Sequence, residues 1–337
     1  MAGGLEWGAV TANSVAREIE QSLLAELDAT AVSVSGRATV GLSQETWFAE
    51  VERGSVQERV VVRLPTAGSG DRVIAVQRRS LQLASTAGLP VPDLVGWCDD
   101  AENAFGRPFL VMERVAGSVP WSWSAIGDRR LRQNLAEEAI SLAARLHAFD
   151  FSDYPPEELP RSVPIAPAAD RELETYTRRL GLLPGPVPAP MQLALQWLGE
   201  HLPSEPRPVA FLHNDFRMGN FLVEGARIVS VLDWELAGFG DPAADVIWCS
   251  LAVWDPVELD ISSIHRAYER ASGSALTEEV VRFYTVLGYL RNAYYALSGW
   301  TAFETGRMND LRMAALRFEL PVRLDRLVSA MAGRRIE

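Results

Sequence analysis

The sequence predicts an α+β fold in two lobes, an N-terminal antiparallel sheet carrying one helix and then a mainly helical C-terminal lobe. Three observations predict it. Short β-branched or alternating runs separated by glycine-bearing turns fill the first third. From Asp128 onward apolar residues recur at helical spacing. Between these textures Gly117 and Pro120 mark a change, and we place the lobes at residues 1–116 and 117–337.

The elements follow in order. Thr11 or Asn13 is positioned to cap an amphipathic helix running from Ser14 to Leu27. Ala31 to Ser35, Thr46 to Glu52 and Glu58 to Leu64 read as a meander, followed by a helix over 72–86 that ends before Gly88 and Pro90. Asp93 to Cys98 and Pro108 to Val115 complete a sheet of about five strands. Leu131, Leu135, Ala139, Leu142, Ala143 and Leu146 trace the next helix. The proline-rich stretch from Pro155 to Pro190, around a short helix at 170–182, reads as a surface excursion. A strand pair at 221–224 and 227–232 turns at Gly225, and helices over 241–253, 258–271, 277–300 and 308–332 close the chain.

Composition narrows the function. The chain has 337 residues, 48% of them apolar, enough for a sizeable core. A net charge of −12 argues against nucleic acid or an anionic membrane surface as a partner. No apolar run is long enough to span a bilayer, no signal-peptide pattern opens the chain, and Cys98 and Cys249 make no disulfide framework, so a cytoplasmic protein is expected. Every basic residue is arginine. That excludes Schiff-base lysine chemistry and a lysine-bearing P-loop, and leaves arginine, backbone amides or a metal to hold any phosphate.

The chemistry concentrates in Phe211-Leu212-His213-Asn214-Asp215-Phe216-Arg217-Met218-Gly219-Asn220-Phe221, followed after a hairpin by Val231-Leu232-Asp233-Trp234-Glu235. The pattern is H-x-D-x-x-x-x-N, then an apolar run ending in Asp. Phosphoryl transfer needs a carboxylate to orient and deprotonate the acceptor hydroxyl, and oxygen ligands to hold magnesium across the phosphates. A base five residues before an asparagine, in a loop opening into a strand, puts both on one rigid turn.

These residues, with Gly240-Asp241-Pro242-Ala243-Ala244-Asp245-Val246-Ile247-Trp248, resemble the aminoglycoside phosphotransferase superfamily, whose fold is protein-kinase-like. Within it the likeness is to phosphotransferase-family proteins similar to the kinase domains fused to some acyl-CoA dehydrogenases, and it runs from about Val32 to Trp254. The resemblance implies Asp215 as catalytic base, with His213 bracing the loop and Arg217 in the catalytic set. Asn220 and Asp233 would be the magnesium ligands. Asp241 also reads as the cap of a helix with Pro242 at its first position, and Asp245 would tie that helix to the loop.

In the first lobe, Gly41 to Trp47 resembles the phosphate-covering turn, with Ser43 and Gln44 toward the nucleotide. Phe109 to Val115 resembles the hinge strand, whose backbone at Glu113 and Val115 would pair with the base. Arg63 stands where kinases carry the phosphate-binding lysine, and Gln77 where they carry its glutamate partner. Arginine offers a permanent planar fork to phosphate, but Gln77 cannot form the ion pair, so Glu45, Glu50 or another acid would have to.

The remaining candidates are weaker. His147 lies on an apolar helix and reads as structural, His201 and His265 lack partners at metal-ligand spacing, and no G-x-S-x-G elbow is present. The tryptophans, among them Trp121, Trp123, Trp248, Trp254 and Trp300, fit lobe packing or an apolar or cation-binding pocket.

The implied activity is transfer of the γ-phosphoryl of ATP (or GTP), with Mg2+, to a hydroxyl of a small molecule. Only seven residues separate Asp233 from Asp241, too few for the segment on which protein kinases dock peptides. The helix bearing Leu287, Leu290, Tyr294, Leu297 and Trp300 would line part of the acceptor pocket, although its apolar spacing also fits ordinary core. Aromatic content and the likeness favour a less polar acceptor such as a hydroxyacyl compound. The alternatives are an aminoglycoside or other antibiotic, and a nucleotide-binding pseudokinase that regulates a partner.

Overall fold

A computed structural model describes residues 4–38, 44–66, 72–163, 168–205, 207–251 and 259–334. Ser43, Gly68-Ser69-Gly70 and Trp254 lie outside the described residues. The chain opens with α1 (Gly4–Glu26), β1 (Ala31–Arg37), β2 (Gln44–Arg53), β3 (Val56–Pro65), α2 (Val73–Thr86), β4 (Leu94–Cys98) and β5 (Phe109–Glu113). The strands form one antiparallel sheet in the order β1-β2-β3-β5-β4. α1 runs straight through Thr11 and Asn13, so neither caps it. Both residue types are tolerated inside a helix at well under ~1 kcal/mol, a cost the preceding turns override.

Strand alternation sorts this sheet into two faces. Val60, Val62 and Leu64 of β3 are fully buried with Trp47 and Val51 beneath Ile19 and Leu23 of α1. Val61 and Arg63 point to the opposite face, where Val61 packs into the larger core that contains Ile74 and Leu81 of α2. The same alternation that buries the valines therefore delivers Arg63 to the concave side.

Beyond the sheet, the chain crosses on Gly117, whose φ of +131° suits only glycine, and where a Cβ would sit 3.2 Å from the Val223 carbonyl. Ser118 then exchanges two backbone hydrogen bonds with Val223, 3.0 and 2.8 Å. The C-terminal part comprises α3 (Arg129–His147), α4 (Ala168–Gly181), α5 (Ala189–Glu200), β6 (Ala210–Leu212), β7 (Phe221–Glu224), β8 (Arg227–Val231), β9 (Gly238–Gly240), α6 (Ala243–Ser250), α7 (Ile261–Ser272), α8 (Glu278–Glu304) and α9 (Leu311–Met331). β6 pairs with β9 and β7 with β8, both antiparallel. Side-chain caps fix several starts: Asp128 accepts from the Leu131 amide and Asp260 from the Ser263 amide, each at 2.9 Å.

The sequence reading omits α5, β6 and β9. β6 and β9 are three residues each, and Gly-Phe-Gly in β9 carries no strand propensity of its own; each exists only as the other's partner. Nor is the proline-rich stretch a mere excursion, because Tyr176 and Leu180 of α4 are buried in the main core. Among the described residues no helix is long and apolar enough to cross a membrane.

Candidate active site

β6 ends at Leu212 and releases the loop His213–Asn220 at the centre of the molecule. Two backbone amides at the bend, His213 and Asn214, donate to the Asp245 carboxylate of α6 at 2.8 Å each. Asn214 sits in the left-handed region, φ +63°, a conformation asparagine accepts more readily than most residues. The His213 ring, fully buried, accepts at Nδ1 from the Asp215 amide (3.1 Å) and donates from Nε2 to the Leu232 carbonyl (2.8 Å). That pairing fixes the neutral tautomer and braces the loop against β8. Asp245, buried itself, lies 3.4 Å from Nε2 of His147, whose Nδ1 is 3.0 Å from the Tyr268 hydroxyl. His147 is thus a structural residue behind the loop.

Asp215 receives donors on both carboxylate oxygens. Oδ2 accepts from Asn220 Nδ2 (2.8 Å) and Arg217 Nε (3.2 Å), and Oδ1 from the Trp248 indole N–H (2.9 Å), with Arg291 at 3.7 Å. Burial alone would raise the Asp215 carboxyl, but the Arg217 and Arg291 guanidiniums and the Asn220 amide outweigh it and hold the group below the usual carboxylate range. The carboxylate is anionic and fixed in direction. It can orient a hydroxyl and take its proton late, as the oxygen becomes acidic.

Asn220 also donates Nδ2 to the Asp215 carbonyl at 2.8 Å, so both amide hydrogens are spent on Asp215 and Oδ1 is left for another ligand. The Asn220 carbonyl accepts from the Leu232 amide (2.8 Å), and Leu232 is also the residue that His213 holds. Asp233, the next residue, adopts φ +67°, which turns its side chain out of the β8 direction. A carboxylate and an amide oxygen are the hard donors magnesium prefers, and that ion characteristically takes one or two protein ligands and leaves the rest to phosphates and water. The residues fit such an ion. Among the described residues there is no cluster of three or more His, Cys, Asp or Glu that would hold a metal by itself.

Arg63 reaches the same place from the sheet. Its Nη2 donates to Asp233 Oδ1 at 2.8 Å and lies 4.0 Å from Glu235 Oε2, while its Nε donates to Gln44 Oε1 at 2.9 Å. Gln44 in turn donates to Glu235 Oε2 at 2.7 Å. The partner missing at Gln77 is therefore supplied by other acids, Asp233 and Glu235 beyond the hairpin, and not by Glu45 or Glu50. Glu45 pairs with Arg107 and Glu50 with Gln57. Gln77 is buried with its Oε1 unpartnered. At the hinge strand the Glu113 amide is engaged by the Asp93 carbonyl (2.8 Å).

Two residues that close on Asp215 are absent from the sequence reading as site residues. Trp248 belongs to the resemblance stretch, where the sequence offers it only packing or the wall of an apolar or cation-binding pocket. Arg291 arrives from α8, stacked 4.4 Å over Trp248 and bonded to the Asn214 carbonyl. A charged residue inside the apolar stripe of α8 is the signal that could have found it. Leu287 and Leu290 are core residues, the alternative that their apolar spacing also fits. The cavity of about 630 Å³ next to Asn214 is lined instead by Arg291 and Tyr295 of α8, by α4, and by Arg161, Leu236 and Phe239. Asp241 holds Arg207 (2.8 Å) and accepts from the Ala243 amide (2.9 Å), so it does cap α6.

Comparison with known proteins agrees with this geometry. Residues 37–284 match the phosphotransferase enzyme family (APH), a longer stretch than the motifs alone suggested. The chain is 30% identical over 226 residues to acyl-CoA dehydrogenase family member 10 of Mus musculus, covering 66% of this chain and 20% of that protein. It is 30% identical over 201 residues to family member 11 of Gallus gallus, covering 59% of this chain and 25% of that protein. It thus spans only a fifth to a quarter of these relatives. Its fold matches a Ralstonia eutropha JMP134 protein assigned as an aminoglycoside phosphotransferase, with a TM-score of 0.73 at 20% identity over 96% of this chain and 99% of that one. It also matches the aminoglycoside phosphotransferase APH(4)-Ia in complex with AMP-PNP and hygromycin B, with a TM-score of 0.64 at 18% identity over 94% and 98%. The chain belongs to the phosphotransferase enzyme family and has its kinase-like fold.

Proposed function

We propose that this chain is a small-molecule kinase that moves the γ-phosphoryl of magnesium-bound ATP or GTP to a hydroxyl group, in the cytoplasm. Residues 1–116 would hold the nucleotide and 117–337 the catalytic loop and acceptor. The observation that carries the proposal is Asp215, an anionic carboxylate aimed by Trp248, Asn220 and Arg217, whose chain neighbour Asn214 and whose partner Arg291 line a cavity. In this reading Asp215 orients the acceptor hydroxyl and accepts its proton. Asn220 Oδ1 and the Asp233 carboxylate would hold the magnesium ion, which when bound neutralises charge on the phosphates. Glu113 and Val115 would meet the base, Ser43 and Gln44 would approach the phosphates, and Arg63 would keep Asp233 oriented while offering its fork to phosphate. The likeness to acyl-CoA dehydrogenase family members 10 and 11 favours a hydroxyacyl acceptor, and the fold neighbour holding hygromycin B favours an antibiotic.

A second reading, a nucleotide-binding regulator without transfer, draws on the direct Arg63–Asp233 ion pair, which occupies one oxygen of an expected magnesium ligand. A thermal-shift panel with Mg·ATP and candidate hydroxyl compounds, followed by phosphate-transfer assays on the hits, separates the two. Turnover that is lost in Asp215→Ala while nucleotide still raises the melting temperature supports the kinase. Nucleotide binding with no transfer to any acceptor supports the regulator.

A further inference from the structure

Resting on the kinase reading and deepening it, we infer that the acceptor is an anionic hydroxyl compound, bearing a carboxylate or phosphate that the arginines of α4 and Arg161 grip while its hydroxyl faces Asp215. The cavity beside Asn214 contains five arginines, Arg161, Arg171, Arg178, Arg179 and Arg291, against two acids, Glu172 and Glu174. This excess of positive charge stands out in a chain whose net charge is −12. Local charge, not the total, decides what a pocket admits.

The positive charge is only partly compensated, by Glu172 beside Arg171, Arg179 and Arg291 and by Glu235 near Arg161. Arg161 donates Nε to the Ala237 carbonyl (2.7 Å) and Nη2 to the Glu235 carbonyl (3.0 Å), and Arg171 donates to the Phe239 carbonyl. Arg179 lies over the Tyr176 ring at 5.4 Å. Carbonyls and rings orient a guanidinium without cancelling its charge. Among the described residues none of Arg161, Arg171, Arg178 and Arg179 forms an ion pair with a carboxylate within 4.0 Å, although Glu172 and Glu174 lie in the same cavity. Burial and the like charge of Arg179 push Arg161 down, against the opposing pull of the Glu235 carboxylate. Burial pushes the Glu172 carboxyl up, against the pull of the Arg291, Arg171 and Arg179 guanidiniums around it.

Like-charged groups crowded this way repel one another at a cost that an anion with two oxygens relieves, since each guanidinium can meet a carboxylate or phosphate in a fork. A polycationic acceptor would meet repulsion instead. Arg291 is the exception among the five, because it lies 3.7 Å from Asp215 and holds the Asn214 carbonyl. It links the anion site to the catalytic loop.

The test uses the full chain with Mg·AMP-PNP and four compounds on one three-carbon diol skeleton: glycerol, glycerate, glycerol 3-phosphate and 3-amino-1,2-propanediol. Calorimetric titration is expected to find glycerate or glycerol 3-phosphate bound about 10-fold to 100-fold more tightly than glycerol, with the amine weakest. The preferred anion tells carboxylate from phosphate, and added NaCl narrows the gap. Arg178→Gln/Arg179→Gln, with folding checked by circular dichroism, is expected to erase most of the preference, and Arg178→Lys/Arg179→Lys to restore part of it. Neither anion exceeding glycerol, or the glutamine variant keeping the full preference, overturns the inference. Titration with Mg·AMP-PNP alone judges the kinase reading separately. Nucleotide binding without anion preference removes only the inference, whereas anion preference without nucleotide binding keeps the anion site and removes the kinase.

Discussion

Replacing Asp245 by asparagine should loosen the catalytic loop without touching a substrate. The Asp245 carboxylate is almost fully buried and accepts the His213 and Asn214 amides at 2.8 Å each. Each is a charge-assisted bond, worth roughly 1.5–3 kcal/mol. Asparagine keeps one oxygen and turns an NH2 group toward the other amide, donor against donor, so the loss is about 2–4 kcal/mol. At roughly 2 °C per kcal/mol for a chain of this size, the melting temperature falls by about 4–8 °C. Asp245→Ala leaves both amides buried and unpaired and costs more, about 3–6 kcal/mol. Because the bend that carries Asp215 relaxes, phosphoryl transfer should fall by about 10²-fold in Asp245→Asn. Nucleotide affinity, set from the sheet and Asp233, should change little. Differential scanning calorimetry and a transfer assay on the same preparations read both effects. A melting temperature within about 1 °C of the parent, or an alanine variant milder than the asparagine one, would refute the reasoning.

Two further outcomes follow from named contacts. Asp233→Asn removes the partner of Arg63 and one oxygen donor; magnesium-dependent nucleotide affinity should drop by about 10-fold or more, and titrating MgCl2 against AMP-PNP binding checks it. Gly117→Ala forces a Cβ to φ +131° and to 3.2 Å from the Val223 carbonyl, so stability should fall by about 1–3 kcal/mol, read by urea denaturation.

Much of the site was legible because its parts are close in sequence. The H-x-D-x-x-x-x-N loop, the hairpin and Asp233 are held together by bonds such as Leu232 to Asn220 and His213 to Leu232 that span fewer than twenty residues. Strand alternation and glycine-bearing turns similarly make the sheet legible. What stayed hidden depends on chain segments far apart. Arg291 meets Asp215 across 76 residues of sequence, and Arg63 meets Asp233 across 170. No local period encodes either contact. The charged lining of the cavity stayed hidden for a related reason: aromatic content and the stripe of α8 are visible, whereas most of the arginines that line the space come from α4 and Arg161, within a stretch whose prolines suggest a surface excursion. The same holds for β9, where Gly238 and Gly240 allow the close approach of Arg161 and Leu212 and conceal the strand.

The most direct measurement is transfer of labelled phosphate from Mg·[γ-32P]ATP to a hydroxyl acceptor by the parent chain and by Asp215→Asn. The asparagine side chain keeps the size of the aspartate and removes its ability to take the proton. The parent should form a phosphorylated product, and Asp215→Asn should do so about 10²–10⁴-fold more slowly with nucleotide affinity retained. Equal rates for the two proteins would contradict the role assigned to this carboxylate, and with it the reading of the loop as a phosphotransfer centre.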